Sequence, residues 1–329
     1  MHYLSRSRSS SDQTRKSASR RSRPTSSIES LEIRIYPTPT FSVSLDAGGL
    51  TSYESEILAN LQAAANDWGR FIDSDASIEI VVGMTTPGDG TPRATGYSEA
   101  SVFEGMSGEL FVYQWGSVAE LNDPETDPNG SDPDITIKFE QGFLDSEVWF
   151  SANPNERFNI PSDKVDGYTV LLHELGHAFG INGYYTDGIN DSMFVSPFDL
   201  LVSEAGGEVY FNGTTAASEY GSPVPLTRGN IRHVGNATGA GTDLVPDLMN
   251  GVVVGLGDLY AISRIDLAIL DDVGVPINFN PQDKVGVRRA ANFYQDGNGN
   301  NAWSSSTSGD LLFSFGSVSD KPIVGDWNG

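Results

Sequence analysis

Apolar positions along the chain follow two periods. Ile57, Leu61, Ala64, Ala65, Trp68, Phe71 and Ile72 recur at helical spacing, so they share one face of a helix ending near residue 72. Thr51 and Glu54 stand three apart ahead of that stripe and suit a capping box. FSVSL (41–45) alternates like a half-buried strand, and SIEIVVGM (77–84) reads as a buried one. GELFVYQW (108–115) and DITIKF (134–139) are rich in aromatic and β-branched residues and predict two more strands. Residues 85–101 are rich in Gly, Pro and Thr and predict a loop.

The second half begins with TVLLHELGHAFG (169–180), apolar enough for a buried helix. Ser162 or Asp163 suits its N-cap, and Gly180 suits its C-terminal stop. Residues 181–232 are rich in Gly, Asn, Thr and Pro, yet contain SPFDLLVSEAGG and the strand-like EVYF. A structureless run of that length is rare inside a domain, so structure of its own is expected there. RHVG (232–235) and PDLMNG (246–251) follow, then a helix over 258–273 with Ser263 and Asp266 as a capping box. Its stripe is Ile262, Ile265, Ala268 and Ile269, and Gly274 ends it. The order of strand, helix, strands, helix, long insert, turn and helix predicts an α+β fold. Its core is a twisted mixed sheet backed by two helices, with a cleft between subdomains.

The two ends differ from this body. Residues 1–30 carry seven Lys/Arg against two Asp/Glu in a Ser-rich context, which predicts a disordered leader. No aromatics interleave with the charges, as they would in an RNA-binding arm. Residues 277–329 alternate short strand-like pieces with Asp/Asn/Gly turns.

Composition narrows the function. The net charge is −24 although the leader is basic, so the body is strongly acidic. That argues against nucleic acid as a partner. The absence of Cys excludes disulfides and thiolate metal sites. No run approaches a transmembrane length, and no apolar stretch follows the basic start as in a signal peptide. An acidic, Asp/Asn/Gly-rich, Cys-free body fits a secreted bacterial protein that binds Ca²⁺, by an export signal not identified. LNDPETDPNGSDPD (121–134) is dense in oxygen ligands and is a candidate for structural Ca²⁺, although it lacks EF-hand spacing.

The chemistry concentrates at LHELGHAFGI (172–181). His173 and His177 are four apart and share one helical face, where two neutral imidazoles can reach one Zn²⁺. Glu174 stands beside them, placed to poise a water without binding the metal. A buried helix carries two His and a Glu only if they have partners, because unpaired buried polar groups cost about 1–3 kcal/mol each. The four histidines are His2, His173, His177 and His233, so His233 is the third imidazole left to the folded part. Glu204, Glu208, Asp199 and Asp187 are the rival third ligands.

These pieces resemble the metzincin-type zinc metalloproteases, whose pattern is H-E-x-x-H-x-x-G-x-x-H followed by a Met-turn. His173, Glu174, His177 and Gly180 match it, but Gly183 stands where the third His belongs. In leishmanolysin-like members a large insertion precedes that His. Here His233 follows Gly180 by 53 positions, and Met249 follows in DLMNG. The resemblance implies His173, His177 and His233 as zinc ligands, Glu174 as general base, and Met249 as an apolar floor under the metal. The Tyr that some members carry two residues after the Met is Gly251 here. VGVRR, FYQDGNGN, FSFG and KPIVGDWNG resemble one FG-GAP-like propeller blade. A lone blade cannot bury its own face, so this segment is expected to be truncated or to fold on its neighbour.

The implied organisation is a leader over 1–30, a zinc metalloprotease domain over 31–276 and a partial β-propeller-like repeat over 277–329. The implied function is a zinc-dependent endopeptidase acting on a protein or peptide laid along an edge strand, with DITIKF as the candidate edge. The alternative is a non-catalytic secreted binding or adhesion protein with a structural zinc site. Glu174 separates the two readings, because a structural site has no use for a carboxylate poised beside the metal.

Overall fold

The computed structural model describes residues 37–46, 50, 52–85, 93–154, 159–185, 192–252, 255–279, 286–289, 292–295 and 311–314. These belong to one unit, Tyr36–Gly329. The leader, Thr51, Asp187 and KPIVGDWNG lie outside the described residues.

β1 (Thr40–Leu45) leads through α1 (Glu54–Gly69) into β2 (Ser77–Met84), which pairs parallel to it. α1 buries Ile57, Leu61, Ala64, Ala65 and Trp68, the expected stripe. Phe71 and Ile72 lie beyond its last turn, and Ile72 bridges to Ile277. β3 (Ala94–Ser98) follows, then β4 (Ser101–Ser107), β5 (Leu110–Trp115), α2 (Gly116–Asn122) and β6 (Ile135–Phe139). The first sheet has the order β1-β2-β6-β3, with β3 antiparallel to β6.

DITIKF is not an edge: β6 runs between β2 and β3, and Ile135, Ile137 and Phe139 are buried. One edge is β3, drawn from the segment expected to be a loop, and β1 is the other. Its sequence, ATGYS, is mostly small or polar because the helix over Gly167–Ala178 packs directly on β3, so the hydrophobic pattern never marks it as a strand. The strand expected over 108–115 starts at Leu110. Gly108 turns with φ of 63° and β4 runs back along β5 as a hairpin.

α3 (Gln141–Ser146) leads to β7 (Val148–Trp149), which pairs with β8 (Val165–Asp166) just before α4 (Gly167–Ala178). α4 is the predicted helix of residues 169–180, capped by neither Ser162 nor Asp163. Asp166 caps it, its Oδ2 accepting from Thr169 N–H at 3.0 Å and from Thr169 Oγ1 at 2.7 Å. Strand pairing of Val165 and Asp166 with Val148 and Trp149 keeps the helix from starting earlier. Gly180 closes it with φ of 121°, a conformation that favours glycine. The indole N–H of Trp68 donates to the Leu172 carbonyl at 2.9 Å and clamps α1 to α4.

The insert carries its own structure, as its length required. β9 (Phe194–Val195) joins β5, with α5 (Pro197–Leu200) next. β10 (Val202–Ala205), β11 (Glu208–Phe211), β12 (Val224–Thr227) and β13 (Asn230–Val234) form an antiparallel sheet in that order. α6 (Thr214–Tyr220) lies between β11 and β12, and α7 (Arg264–Asp272) follows the sheet. Asp272 accepts N–H bonds from Thr215 at 2.9 Å and Ala216 at 2.8 Å, tying α7 to the first turn of α6. β14 (Gly286–Arg289), β15 (Asn292–Gln295) and β16 (Leu311–Ser314) form a three-stranded antiparallel sheet. The architecture is α+β, with segregated mixed and antiparallel sheets. No described helix is long and apolar enough to cross a membrane.

α7 begins later than the predicted 258, because the capping box fixes its start. Ser263 Oγ accepts from Asp266 N–H at 3.0 Å, and Asp266 Oδ2 accepts from Ser263 N–H at 2.8 Å. Ile262 therefore precedes the helix, and the buried face is Leu267, Ala268, Ile269 and Leu270. Ser263→Ala removes one half of the box. It is expected to cost about 1 kcal/mol and lower Tm by roughly 2–4 °C. Thermal unfolding of the two proteins side by side checks this, and an unchanged Tm would discard the cap as a determinant of the helix start.

Candidate metal centre

α4 places His173 and His177 one turn apart, and β13 brings His233 to them. The three Nε2 atoms lie 3.1 Å (His173–His177), 3.2 Å (His173–His233) and 3.0 Å (His177–His233) apart. His173 Nδ1–H donates to the Leu248 carbonyl at 2.7 Å, and His177 Nδ1–H donates to the Ile181 carbonyl at 2.7 Å. A carbonyl can only accept, so these bonds put the proton on Nδ1 and leave each Nε2 with a bare lone pair. His233 Nδ1 has no well-formed partner, although it faces the Asn230 backbone.

Burial pushes the His173 pKa down. Burial, then the neighbouring His173, pushes that of His177 down to about 3. Burial, then His177 and His173, holds His233 well below the ordinary range. All three are neutral, the state in which imidazole binds metals. Nitrogen lone pairs crowded around one point repel unless a cation sits among them. Tetrahedral Zn–N bonds of about 2.0–2.1 Å would set ligand nitrogens about 3.3 Å apart, close to the spacing found. His173, His177 and His233 therefore form a group that can hold a metal ion.

The Met-containing turn is built against this group. Met249 is fully buried. A Cβ on Gly176 would lie 2.5 Å from Met249 Sδ, so the missing side chain on α4 is what lets the methionine pack there. The Met249 carbonyl accepts from Val234 N–H at 2.9 Å, fastening the turn to β13 one residue past His233. The Leu248 carbonyl orients His173 from the same turn. A Cβ on Gly251 would lie 2.8 Å from His233 Cβ, so position 251 is closed to any side chain here.

Glu174 is buried and lines the same cleft, which has a volume of about 540 Å³. Burial raises its carboxyl to about 8, and a hydrogen bond from the Gly96 backbone N–H opposes that rise. Gly96 lies in β3, and a Cβ there would come within 2.1 Å of the Glu174 carbonyl oxygen. The edge strand thus lies against α4 at Glu174. Arg93, Tyr97, Arg232 and Tyr260 line the same cleft.

The rival ligands among the described residues lie elsewhere. Asp199 accepts N–H bonds from Tyr184 at 2.7 Å, Tyr185 at 3.3 Å and Ser196 at 2.8 Å, and completes a capping box on α5. Its Oδ1 would meet a Cβ at position 183 at 2.0 Å, so this carboxylate fills the space that a short-spaced third histidine would need. Glu208 pairs with Arg228. Glu204 is exposed on β10, at the other end of the sheet order from His233. Gly96 and Gly176 were not singled out by sequence, and Gly251 was noted only for the Tyr it lacks. A signal for Gly176 was present in its place next to His177.

No family model, curated protein or solved structure matches the chain.

His233→Ala removes one of three converging donors while leaving α4 intact. The wild type is expected to bind one Zn²⁺ per chain, and the variant to bind it more than about 100-fold more weakly. Competition against a chromogenic chelator measures the difference. Equal affinities would remove His233 from the site.

Proposed function

We propose that the chain is a zinc-dependent endopeptidase of metzincin type, with the long-insert ligand order of the leishmanolysin-like members. The observation that carries this reading is the Glu174 carboxylate beside three converging imidazole lone pairs, in a cleft bordered by an edge strand. His173, His177 and His233 would hold zinc through Nε2. When bound, zinc acts as a Lewis acid that acidifies water and polarises a carbonyl.

The chain's own groups do the rest. Glu174 accepts the proton of the attacking water as the new C–O bond forms. It then delivers that proton to the departing amine as the C–N bond breaks. The Gly96 N–H holds this carboxylate from the strand side. β3 has a strand neighbour on one side only among the described residues. An extended peptide can therefore lie along its other side by strand addition. This edge replaces DITIKF as the substrate rail, and it makes a protein or peptide the fitting substrate. Met249 and the two carbonyl acceptors keep the imidazoles from turning. The acidic, cysteine-free body supports a secreted setting, and the β14-β15-β16 sheet is compatible with a blade-like repeat.

Glu174→Gln keeps the size and the burial of the side chain but cannot take a proton. It is expected to bind zinc as the wild type does and to lose at least about 10²–10⁴-fold in cleavage of an unfolded protein substrate. Full activity in this variant would refute the mechanism. Zinc binding without cleavage by the wild type, across a diverse peptide library, would favour the structural-zinc alternative.

A further inference from the structure

A second cluster of ligand-type side chains lies away from the histidines. Glu120 on α2, Asp127 in the following loop and Asp134 at the entrance to β6 each offer a carboxylate oxygen within 4.8 Å of the others. Glu120 and Asp134 are buried, at 5% and 1% exposure, whereas Asp127 is exposed. Asp134 Oδ2 accepts from Glu79 N–H at 2.8 Å, but Asp134 Oδ1 and Glu120 Oε2 are enclosed with no hydrogen-bond partner. Among the described residues no Lys or Arg pairs with the cluster. Asp127 Oδ1 accepts from Gly130 N–H at 2.6 Å, which curls the loop back on itself.

Enclosed carboxylate oxygens without donors require either protons or a cation. Burial, then the carboxylates of Asp134, Asp127 and Glu79, raises Glu120 to about 8, which registers the same missing positive charge. The donors are all oxygen, three are acidic, and no imidazole is among them. That chemistry selects a hard cation over zinc. The acidic side chains come from a helix, a long loop and a strand entrance. Ca²⁺ accepts such an irregular shell, whereas Mg²⁺ demands a near-ideal octahedron and keeps its waters.

We propose that Glu120, Asp127 and Asp134 bind a structural Ca²⁺ ion that fastens the loop between α2 and β6. The site is joined to the rest of the fold on two sides. Ser117, on the same short helix as Glu120, donates through Oγ to the Ala178 carbonyl at the end of α4 at 2.7 Å. The Asp134 carbonyl accepts from Glu99 N–H at 2.8 Å, just past the end of β3. The ion would thus brace the same strand and helix that form the cleft.

The test uses the full chain, stripped of divalent ions on a chelating resin and reloaded with one equivalent of Zn²⁺. CaCl₂ alone is then titrated by calorimetry and by thermal unfolding, with MgCl₂ as the control. One Ca²⁺ per chain is expected, and Tm should rise by roughly 5 °C at about 1 mM Ca²⁺. Asp127→Asn, at an exposed position, should lower Ca²⁺ affinity at least tenfold. Glu120→Gln should abolish the Ca²⁺ response and raise Tm in calcium-free buffer, because it removes a carboxyl that must be protonated to be buried there without a cation. Both variants should keep their zinc. No heat and no Tm shift up to about 10 mM Ca²⁺ would overturn the site. So would an unchanged Ca²⁺ response in both variants, and an equal response to Mg²⁺ would overturn the choice of ion.

Discussion

Close approach to α4 is the constraint on which the rest of the molecule depends. The β3 backbone and the Met249 side chain come nearer to this helix than ordinary packing allows, each at a glycine. β3 reaches the Glu174 backbone at Gly96, and Met249 reaches the helix at Gly176. The His233 ring sits against the Met-containing turn at Gly251. A methyl group at any of these points would push apart elements that must converge within about a bond length of their present positions. The remaining faces of α4 are held by large apolar contacts, with Trp68 and Phe179 in edge-on ring contact at 6.2 Å.

That arrangement sets the electrostatics. Buried imidazoles are driven neutral, and the carbonyls of Leu248 and Ile181 decide which nitrogen keeps the proton. A buried carboxyl one residue from a ligand is driven the other way, toward holding its proton. The two displacements have one cause, the cost of charge in a dry cleft. A dication entering among the lone pairs reverses the balance for Glu174, because positive charge nearby favours the carboxylate.

Much of this was legible in the sequence. The helical stripe of α1, the SIEIVVGM strand and the Ser263–Asp266 box carry strong local signals, since burial or capping fixes their residue types. His173, Glu174 and His177 are readable because three polar groups in an apolar helix need a reason. β3 was not readable: its residues are small to admit α4, so the demand that placed it also erased the alternation that marks a strand. The start of α4 was missed because pairing of β7 with β8, a contact across 17 residues, overrides the local caps Ser162 and Asp163. Gly183 reads as a defect in the short-spaced motif until Asp199 is seen filling the space beside it.

The third imidazole arrives on a sheet assembled from the insert, 56 residues beyond His177. That sheet is anchored to the C-terminal helix through Asp272 on the first turn of α6. A ribosome-bound chain that has exposed only HELGH therefore owns two of the three donors and no closed site. The centre comes into being only after β10 to β13 have paired and the DLMNG turn has docked beneath them. Any metal held there has to wait until synthesis has passed both landmarks, because the order of the sequence supplies the last donor late.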